Sequence, residues 1–173
     1  MKNKPIIIVA GEPKSVFFEI FFKALRLNKF RSPIILIASY KLLKIQMKTL
    51  NFKKKIQLLE LNELKEYKLD NKIINIININ LNKKKPNIYI KKCFDIGFRI
   101  IKSNFSNKFI NGPIDKTSFL KRKHLGITEY ISNEFKIKNT AMLIYNDQLS
   151  VCPITTHLPL KIVSKKINQS LIN

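Results

Sequence analysis

Three short loops hold the residues of this sequence whose types and spacing could do chemistry. They are residues 11–15 (G-E-P-K-S), 111–116 (N-G-P-I-D-K) and 155–160 (T-T-H-L-P-L), and each follows a segment rich in apolar residues. In open α/β sheets, ligands bind where parallel strands end. Loops in this position are therefore candidates for a binding site.

The first two loops each allow a binding and a structural interpretation. In the first, Gly11 permits close backbone approach and the helix that follows favours an anion. The loop matches neither G-x-G-x-x-G nor a Walker sequence, so a plain strand-to-helix turn fits as well. In the second, a Gly-Pro turn presents Asp115 and Lys116 at a helix start. Lys116 could meet a phosphate or carboxylate, or Asp115 or Thr117 could simply cap the helix.

His157, in the third loop, is the candidate for a metal ligand or a general base. It follows a predicted strand and precedes Pro159, which suits the first turn of a helix. The alternative is a structural histidine. The other histidine, His124, lies between Lys123 and Leu125 and is expected to be exposed. Two histidines cannot complete a three-histidine metal site in one copy of the chain.

Apolar patterning predicts the elements that position these loops. Continuous β-branched runs are typical of strands buried on both faces of a parallel sheet. They alternate with amphipathic segments, which indicates βαβ units, and Ser15 can cap the first helix. The predicted strands are 6–10, 34–38, 56–61 and 108–111, and the predicted helices are 17–27, 40–50, 87–104 and 128–135, the last capped by Thr128 or a neighbour.

Three segments are harder to interpret. Residues 73–79 mix isoleucine with asparagine and suit a strand or a hairpin arm. Residues 141–145 and 149–155 suggest two strands joined at a turn. A last helix is expected from Pro159 to the final residue, Asn173, and its lack of a glycine stop fits a chain that ends before its architecture is complete.

The composition limits the partners that we expect. The formal net charge is +22, but the basic residues are spread out, and the clusters at 53–55, 83–85 and 121–123 lack interleaved aromatic residues. No zinc-finger, RNP or basic-zipper signature is present. We interpret the charge as a bias of a Lys-, Asn- and Ile-rich sequence, part of which could serve anionic substrates. Nucleic acid is therefore not expected as a partner.

Segment lengths and cysteine spacing favour a cytoplasmic protein. No apolar run reaches the roughly 18–20 residues of a membrane span, and the run at 6–10 is too short for a signal-peptide core. Cys93 and Cys152 form neither a C-x-x-C pair nor a zinc spacing. We expect two reduced, partly buried thiols and no membrane partner.

Taken in order, the motifs A-G-E-P, N-G-P-I-D-K, G-I-T-E-Y and T-T-H-L-P-L resemble the 4-hydroxythreonine-4-phosphate dehydrogenase family of vitamin B6 biosynthesis. The resemblance spans essentially the whole chain. It implies an α/β fold like that of isocitrate and isopropylmalate dehydrogenases, with a mainly parallel sheet flanked by helices. It also implies a homodimer that oxidises 4-phosphonooxy-L-threonine with NAD or NADP and a divalent metal (zinc, magnesium or cobalt), and then decarboxylates the product to 3-amino-2-oxopropyl phosphate.

The resemblance assigns roles to a few residues. His157 matches the first of three metal-binding histidines, Thr128 matches a substrate-binding threonine, and Lys116 lies in a loop shaped to the site. Two residues depart from the family pattern. Ile127 stands where a histidine is common, which removes one hydrogen-bond donor, and Glu12 stands where an aspartate is usual.

Length is the larger departure, because family members continue well beyond this chain. The resemblance places the other two metal histidines and most of the dinucleotide site in that further part. Residues 1–173 are therefore expected to be the N-terminal portion of an incomplete dehydrogenase, with the C-terminal portion absent. Such a chain would be a fragment, the product of a gene interrupted by a frameshift, or one half of a split enzyme that works with a complementary C-terminal polypeptide. The alternative is a noncatalytic α/β binding or scaffold protein that retains the dimer surface.

Overall fold

The computed structural model describes residues 3–27, 29–120, 123–156 and 158–169. The chain divides into two compact units, Met1–Asp115 and Lys116–Asn173. The first unit is a five-stranded, wholly parallel sheet with helices on both faces, so the predicted α/β class is confirmed. Within the described residues, no helix is long and apolar enough to cross a membrane.

The strand order is β3-β4-β2-β1-β5, which leaves β3 and β5 at the two edges of the sheet. Sequence patterning placed these elements to within a few residues. The strands are β1 (Ile6–Val9), β2 (Ile34–Ala38), β3 (Ile56–Leu58), β4 (Ile74–Asn78) and β5 (Lys108–Asn111), and the helices of this unit are α1 (Phe17–Leu27), α2 (Tyr40–Thr49), a 3-10 turn (Leu61–Glu63) and α3 (Pro86–Lys102).

Aromatic residues at helical spacing attach the helices to the sheet. Four phenylalanines of α1, at positions 17, 18, 21 and 22, are buried in one cluster with Ile8 and Leu36 of the sheet. The ring of Phe22 stacks on Phe52, with centroids 4.3 Å apart. On the opposite face, α3 packs through Phe94 and Phe98 against Phe109 of β5. Both faces of the sheet therefore carry a helical layer.

The segment at 73–79 is an inner strand and not a hairpin arm. β4 lies between β3 and β2 and pairs in parallel with both. Its buried Asn75 is accommodated because the side-chain amide donates to the carbonyl oxygens of Ile34 (3.0 Å) and Asp70 (3.1 Å). A polar residue that would suit an exposed strand is thus kept inside by hydrogen bonds.

The second unit has less regular structure than the sequence indicated. It contains α4 (Lys116–Leu120), α5 (Ile127–Phe135) and α6 (Leu160–Lys166). The two strands predicted between α5 and α6 are wrong: the described residues there form one isolated antiparallel bridge, between Ile144 and Val151. Their apolar side chains are exposed, so no packed face holds them in a sheet.

The ends of two helices in the second unit also differ from expectation. α5 is preceded by Gly126 as its N-cap, with no side-chain hydrogen bond, and not by Thr128. α6 ends at Lys166, where Ile167 is extended, so the last helix is shorter than predicted. Leu160, the first residue of α6, is 89% exposed. Residues 170–173, including Leu171, lie outside the described residues.

Candidate functional site

The loops that follow β1 and β5 are joined through their backbones. The Glu12 amide donates to the carbonyl oxygen of Pro113 at 2.8 Å, and the Gly112 amide donates to Val9 at 2.7 Å. The Asp115 amide approaches the Glu12 carboxylate, with 3.5 Å between nitrogen and Oε1. Two of the three candidate loops therefore meet where adjacent parallel strands end, as the sequence predicted for a ligand site.

Glycine is required at both places where these loops cross. Gly11 has a φ of +72°, and a Cβ there would lie 2.2 Å from the carbonyl oxygen of Pro113. A Cβ on Gly112 would lie 2.2 Å from the carbonyl oxygen of Ala10. Gly11 was expected to allow close approach of another group, and in the structure that group is the backbone of the second loop. Sequence reasoning missed this pairing, although the G-x-P and G-P sequences of the two loops were its signal.

The start of α1 is fixed in the manner that the sequence predicted. The Ser15 hydroxyl accepts the Phe17 amide at 3.3 Å and donates to the Glu12 carbonyl at 2.8 Å. Glu12 is half-buried, while Lys14 and Asp115 are exposed around it. A rim with both signs of charge on a rigid backbone can orient a polar ligand, although it does not specify one.

The substrate-binding candidates Lys116 and Thr128 lie in the first turns of two helices of the second unit. Lys116 is the exposed first residue of α4, and Thr128 is the half-buried second residue of α5. The two helices pack through Phe119 and Tyr130, whose rings meet edge to face at 5.5 Å. Positions at helix starts suit anion binding, because backbone amides there lack intrahelical partners. Substrate binding by either residue stays a prediction.

His124 is half-buried, so the expectation of an exposed side chain is wrong. Its ring meets Tyr130 edge to face, with centroids 5.5 Å apart. The buried Tyr130 ring attracts both neighbouring aromatic rings, which the short sequence around His124 did not indicate. This contact gives His124 a packing role.

The predicted metal ligand His157 lies outside the described residues. Among the residues that are described, no group of three or more His, Cys, Asp or Glu side chains is close enough to hold a metal ion. The described part of the chain therefore does not fit a metal centre by itself, and the assignment of His157 stays a prediction.

The two cysteines differ from each other. Neither forms a disulfide; Cys93 is buried and Cys152 is exposed, so the expectation of partial burial is wrong for Cys152. Burial raises the pKa of the Cys93 thiol to about 12, and a hydrogen bond with Tyr89 offsets part of that rise. Burial also raises the pKa of Tyr89, whose hydroxyl accepts the Ser39 amide at 3.0 Å. These groups lie in the core and are inert near neutral pH.

Fold and loops together define a parallel α/β protein with a candidate site where β1 and β5 end. The chain belongs to the PdxA family of pyridoxal phosphate biosynthetic proteins, whose family model matches residues 29–173. That range includes the second and third loops and α5. The family resemblance found in the sequence is thereby confirmed. No curated protein sequence matches the chain.

Two solved structures with this fold are longer than the chain. A 4-hydroxythreonine-4-phosphate dehydrogenase from Burkholderia phymatum superposes with a TM-score of 0.81 at 18% identity, over 98% of this chain and 55% of that one. The dehydrogenase of the same name from Klebsiella pneumoniae gives 0.79 at 18% identity, over 98% and 56%. At this identity the likeness shows the fold. The chain spans little more than half of these relatives.

Proposed function

We propose that this chain supplies one part of a 4-hydroxythreonine-4-phosphate dehydrogenase. The reaction is oxidation of 4-phosphonooxy-L-threonine by NAD or NADP, followed by loss of carbon dioxide to give 3-amino-2-oxopropyl phosphate. The observation that carries the proposal is the family match over residues 29–173. It is supported by the joined β1 and β5 loops, which form a rigid rim where ligands bind in folds of this class.

Two side chains are proposed to hold the substrate. The Thr128 hydroxyl donates a hydrogen bond to the phosphate or carboxylate, and the Lys116 ammonium adds a charge-assisted contact. Both lie in first helical turns, where the positive end of the helix dipole favours an anion. Ile127 cannot donate a hydrogen bond, so the substrate contact that the family pattern has at this position is lost or made by another group.

The cofactors are proposed to be bound by a larger assembly. They are NAD or NADP and a divalent metal such as zinc, magnesium or cobalt, with His157 as one metal ligand. The described residues alone do not make up a metal centre. The remaining ligands are proposed to come from the portion of the family architecture that this chain does not span. Residues 1–173 act as the N-terminal portion in this proposal, and a cytoplasmic location stays a prediction.

The second unit supports a need for a partner. Among its described residues, Leu120 and Tyr130 are the buried hydrophobic side chains, while many large apolar residues are exposed, such as Leu125, Leu143 and Leu149. Large apolar side chains that are exposed in this unit are candidates for burial against a partner. The proposed partner is a second copy in a homodimer or a complementary C-terminal polypeptide. Nucleic acid and membranes are not part of the proposal.

A noncatalytic binding or scaffold protein is the second candidate. Ile127 and Glu12 favour it, because both differ from the residues that the family pattern has at its site. A scaffold would keep the fold and its interaction surface without holding substrate. Substrate binding therefore separates the two candidates.

Calorimetric titration with 4-phosphonooxy-L-threonine tests the proposal. We expect Thr128→Ala and Lys116→Ala each to weaken binding about tenfold, equivalent to about 1.4 kcal/mol. The matched controls are Ser132→Ala, whose hydroxyl bonds the backbone of its own helix, and Lys123→Ala, an exposed lysine near the same helices. If neither test variant weakens binding more than its control, the scaffold candidate is favoured.

A further inference from the structure

A cleft of about 520 Å³ lies where the parallel strands begin, at the end of the sheet opposite to the candidate site. It is called here the strand-entry cleft, because segments that lead into four strands border it. Pro5 immediately precedes β1, Pro33 precedes β2, Phe105 comes before β5, and residues 64–69 come before β4. The cleft lies within the first unit, and its volume falls in the range of small-molecule sites, about 300–1,000 Å³.

Hydrogen bonds to the backbone fix the borders of this cleft. The buried Ser106 hydroxyl donates to the Pro5 carbonyl oxygen at 2.7 Å, which ties the segment before β5 to the segment before β1. The Asn71 amide nitrogen donates to the two carbonyl oxygens on either side of Arg31, at 3.0 and 2.8 Å. The backbone that carries the lining side chains is therefore held in place without a ligand.

Four cationic side chains and no described carboxylate line the cleft. The cations are Lys4, Arg31, Lys65 and Lys68, and all four are exposed. No described carboxylate forms an ion pair with Arg31, Lys65 or Lys68. Lys4 is held at the cleft because its ammonium group donates to the Asn104 carbonyl oxygen at 2.9 Å. Positive charge that is concentrated without counter-charges attracts a multiply charged anion, and the planar guanidinium of arginine suits phosphate.

The rest of the lining is mostly apolar and includes two aromatic rings. Pro5 and Leu64 are buried, and Tyr67 and Phe105 are half-buried. The Tyr67 hydroxyl accepts the Glu60 amide at 3.3 Å, which limits the movement of the tyrosine side chain. Aromatic rings beside cations suit a nucleotide, because its base stacks on a ring while its phosphates meet the cations. An inorganic anion would leave the apolar part of the cleft uncovered.

We propose that the strand-entry cleft binds a nucleoside triphosphate, with the base against Tyr67 and Phe105 and the phosphates among the four cations. The site is separate from the proposed dehydrogenase site, because the candidate loops follow the other ends of β1 and β5. Its described lining contains no histidine, cysteine or carboxylate, so the cleft is assigned binding and no chemical step. The inference therefore does not depend on the proposed function.

Calorimetric titration of the full chain tests the proposal. The probes are ATP, tripolyphosphate and adenosine, each without divalent metal and at physiological salt, which screens the general attraction of a chain with a net charge of +22. We expect ATP to bind at a single site, at least about tenfold more tightly than tripolyphosphate or adenosine, because only ATP meets both the cations and the rings. ATP that binds no more tightly than tripolyphosphate would overturn the proposal.

Matched variants locate binding in the cleft. Arg31→Ala and Lys68→Ala should each weaken ATP binding about tenfold, because each removes a charge-assisted contact with phosphate. Arg99→Ala and Lys92→Ala remove the same charges from exposed positions of α3 and should weaken ATP binding less than about twofold. Equal weakening by the two pairs of variants would show that ATP responds to the overall charge, and the proposal would fail.

A third comparison tests the aromatic contact. Tyr67→Leu should weaken ATP binding and leave tripolyphosphate binding unchanged, because the ring contacts only the base. Phe105→Leu tests the same contact if loss of the Tyr67 hydroxyl unfolds the segment. Leucine variants that bind ATP as tightly as the native chain would remove the nucleoside from the site. Displacement of ATP by an equal concentration of NAD would overturn the assignment to a triphosphate.

Discussion

The Glu12 amide donates a hydrogen bond to the Pro113 carbonyl oxygen at 2.8 Å, so the loops after β1 and β5 form one backbone unit. Residues that are 101 positions apart in the sequence are held by a hydrogen bond between backbone groups. The geometry depends on two glycines, because a side chain on Gly11 or Gly112 would strike the opposite loop. The rim of the candidate site is therefore set by the backbone.

Gly112→Ala should destabilise the first unit by more than about 2 kcal/mol, because the new methyl group would meet the backbone of Ala10 and the ring of Phe17. Gly126→Ala is the matched control. Its Cβ would meet only the flexible end of Glu129, and its φ of −157° suits any residue, so we expect a loss below about 1 kcal/mol. Urea unfolding measures the free energy of unfolding of both variants. Equal losses would contradict the close backbone contact between the two loops.

Cys93 should make the protein less stable as the pH rises above 9. Burial raises the pKa of this thiol to about 12 from an ordinary value of 9.0, so the unfolded chain loses the proton first. The contribution of the neutral thiol is complete below pH 9 and is lost progressively between pH 9 and 12.

At pH 10 this loss amounts to about 1.4 kcal/mol relative to pH 8. The measurement is urea unfolding at both values for the native chain and for Cys93→Ala, which should lose less stability on the same pH change. Subtracting the stability change of Cys93→Ala from that of the native chain removes the effect of lysine titration, because the two proteins share it. Cys152→Ala, at an exposed position, should behave like the native chain. If the stability of Cys93→Ala changed with pH as much as that of the native chain, the loss would not come from the Cys93 thiol.

Asn71→Ala should cost about 2–3 kcal/mol, because three hydrogen bonds of one side chain hold the segment before β2. Its amide nitrogen donates to the carbonyl oxygens of Phe30 (3.0 Å) and Ser32 (2.8 Å), and its oxygen accepts the Ile34 amide at 2.9 Å. Asn146→Ala, where the exposed side chain accepts one bond from a neighbouring amide, should cost below about 0.5 kcal/mol. Thermal unfolding compares the two variants, and equal melting temperatures would show that Asn71 does not fix the segment before β2.

The first unit could be predicted from sequence because its strands are buried on both faces and its helices carry an aromatic stripe. Ile34–Ala38 and Lys108–Asn111 match the predicted bounds. The role of Asn75 could not be foreseen, since its side-chain nitrogen donates to the carbonyl oxygens of Ile34 and Asp70. Hydrogen bonds from a side chain to the backbone leave no local periodic signal.

The second unit was predicted less well because many of its described apolar residues are exposed. The alternation at 141–155 indicated two strands, but their side chains are exposed and only the Ile144–Val151 bridge forms. The sequence motifs indicated Lys116 and Thr128 as candidate residues, but they did not indicate which side chains surround them. Sequence pattern predicts secondary structure only where tertiary packing completes it.

NADH or NADPH formation from 4-phosphonooxy-L-threonine in the presence of a divalent metal tests the central claim most directly. It is measured for this chain alone and for the chain joined to the C-terminal portion of the Klebsiella pneumoniae dehydrogenase. We expect turnover only in the joined protein, and we expect it to be lost in His157→Ala and retained in His124→Asn. A joined, folded protein that produces no reduced nucleotide, or one in which His157→Ala turns over undiminished, would contradict it.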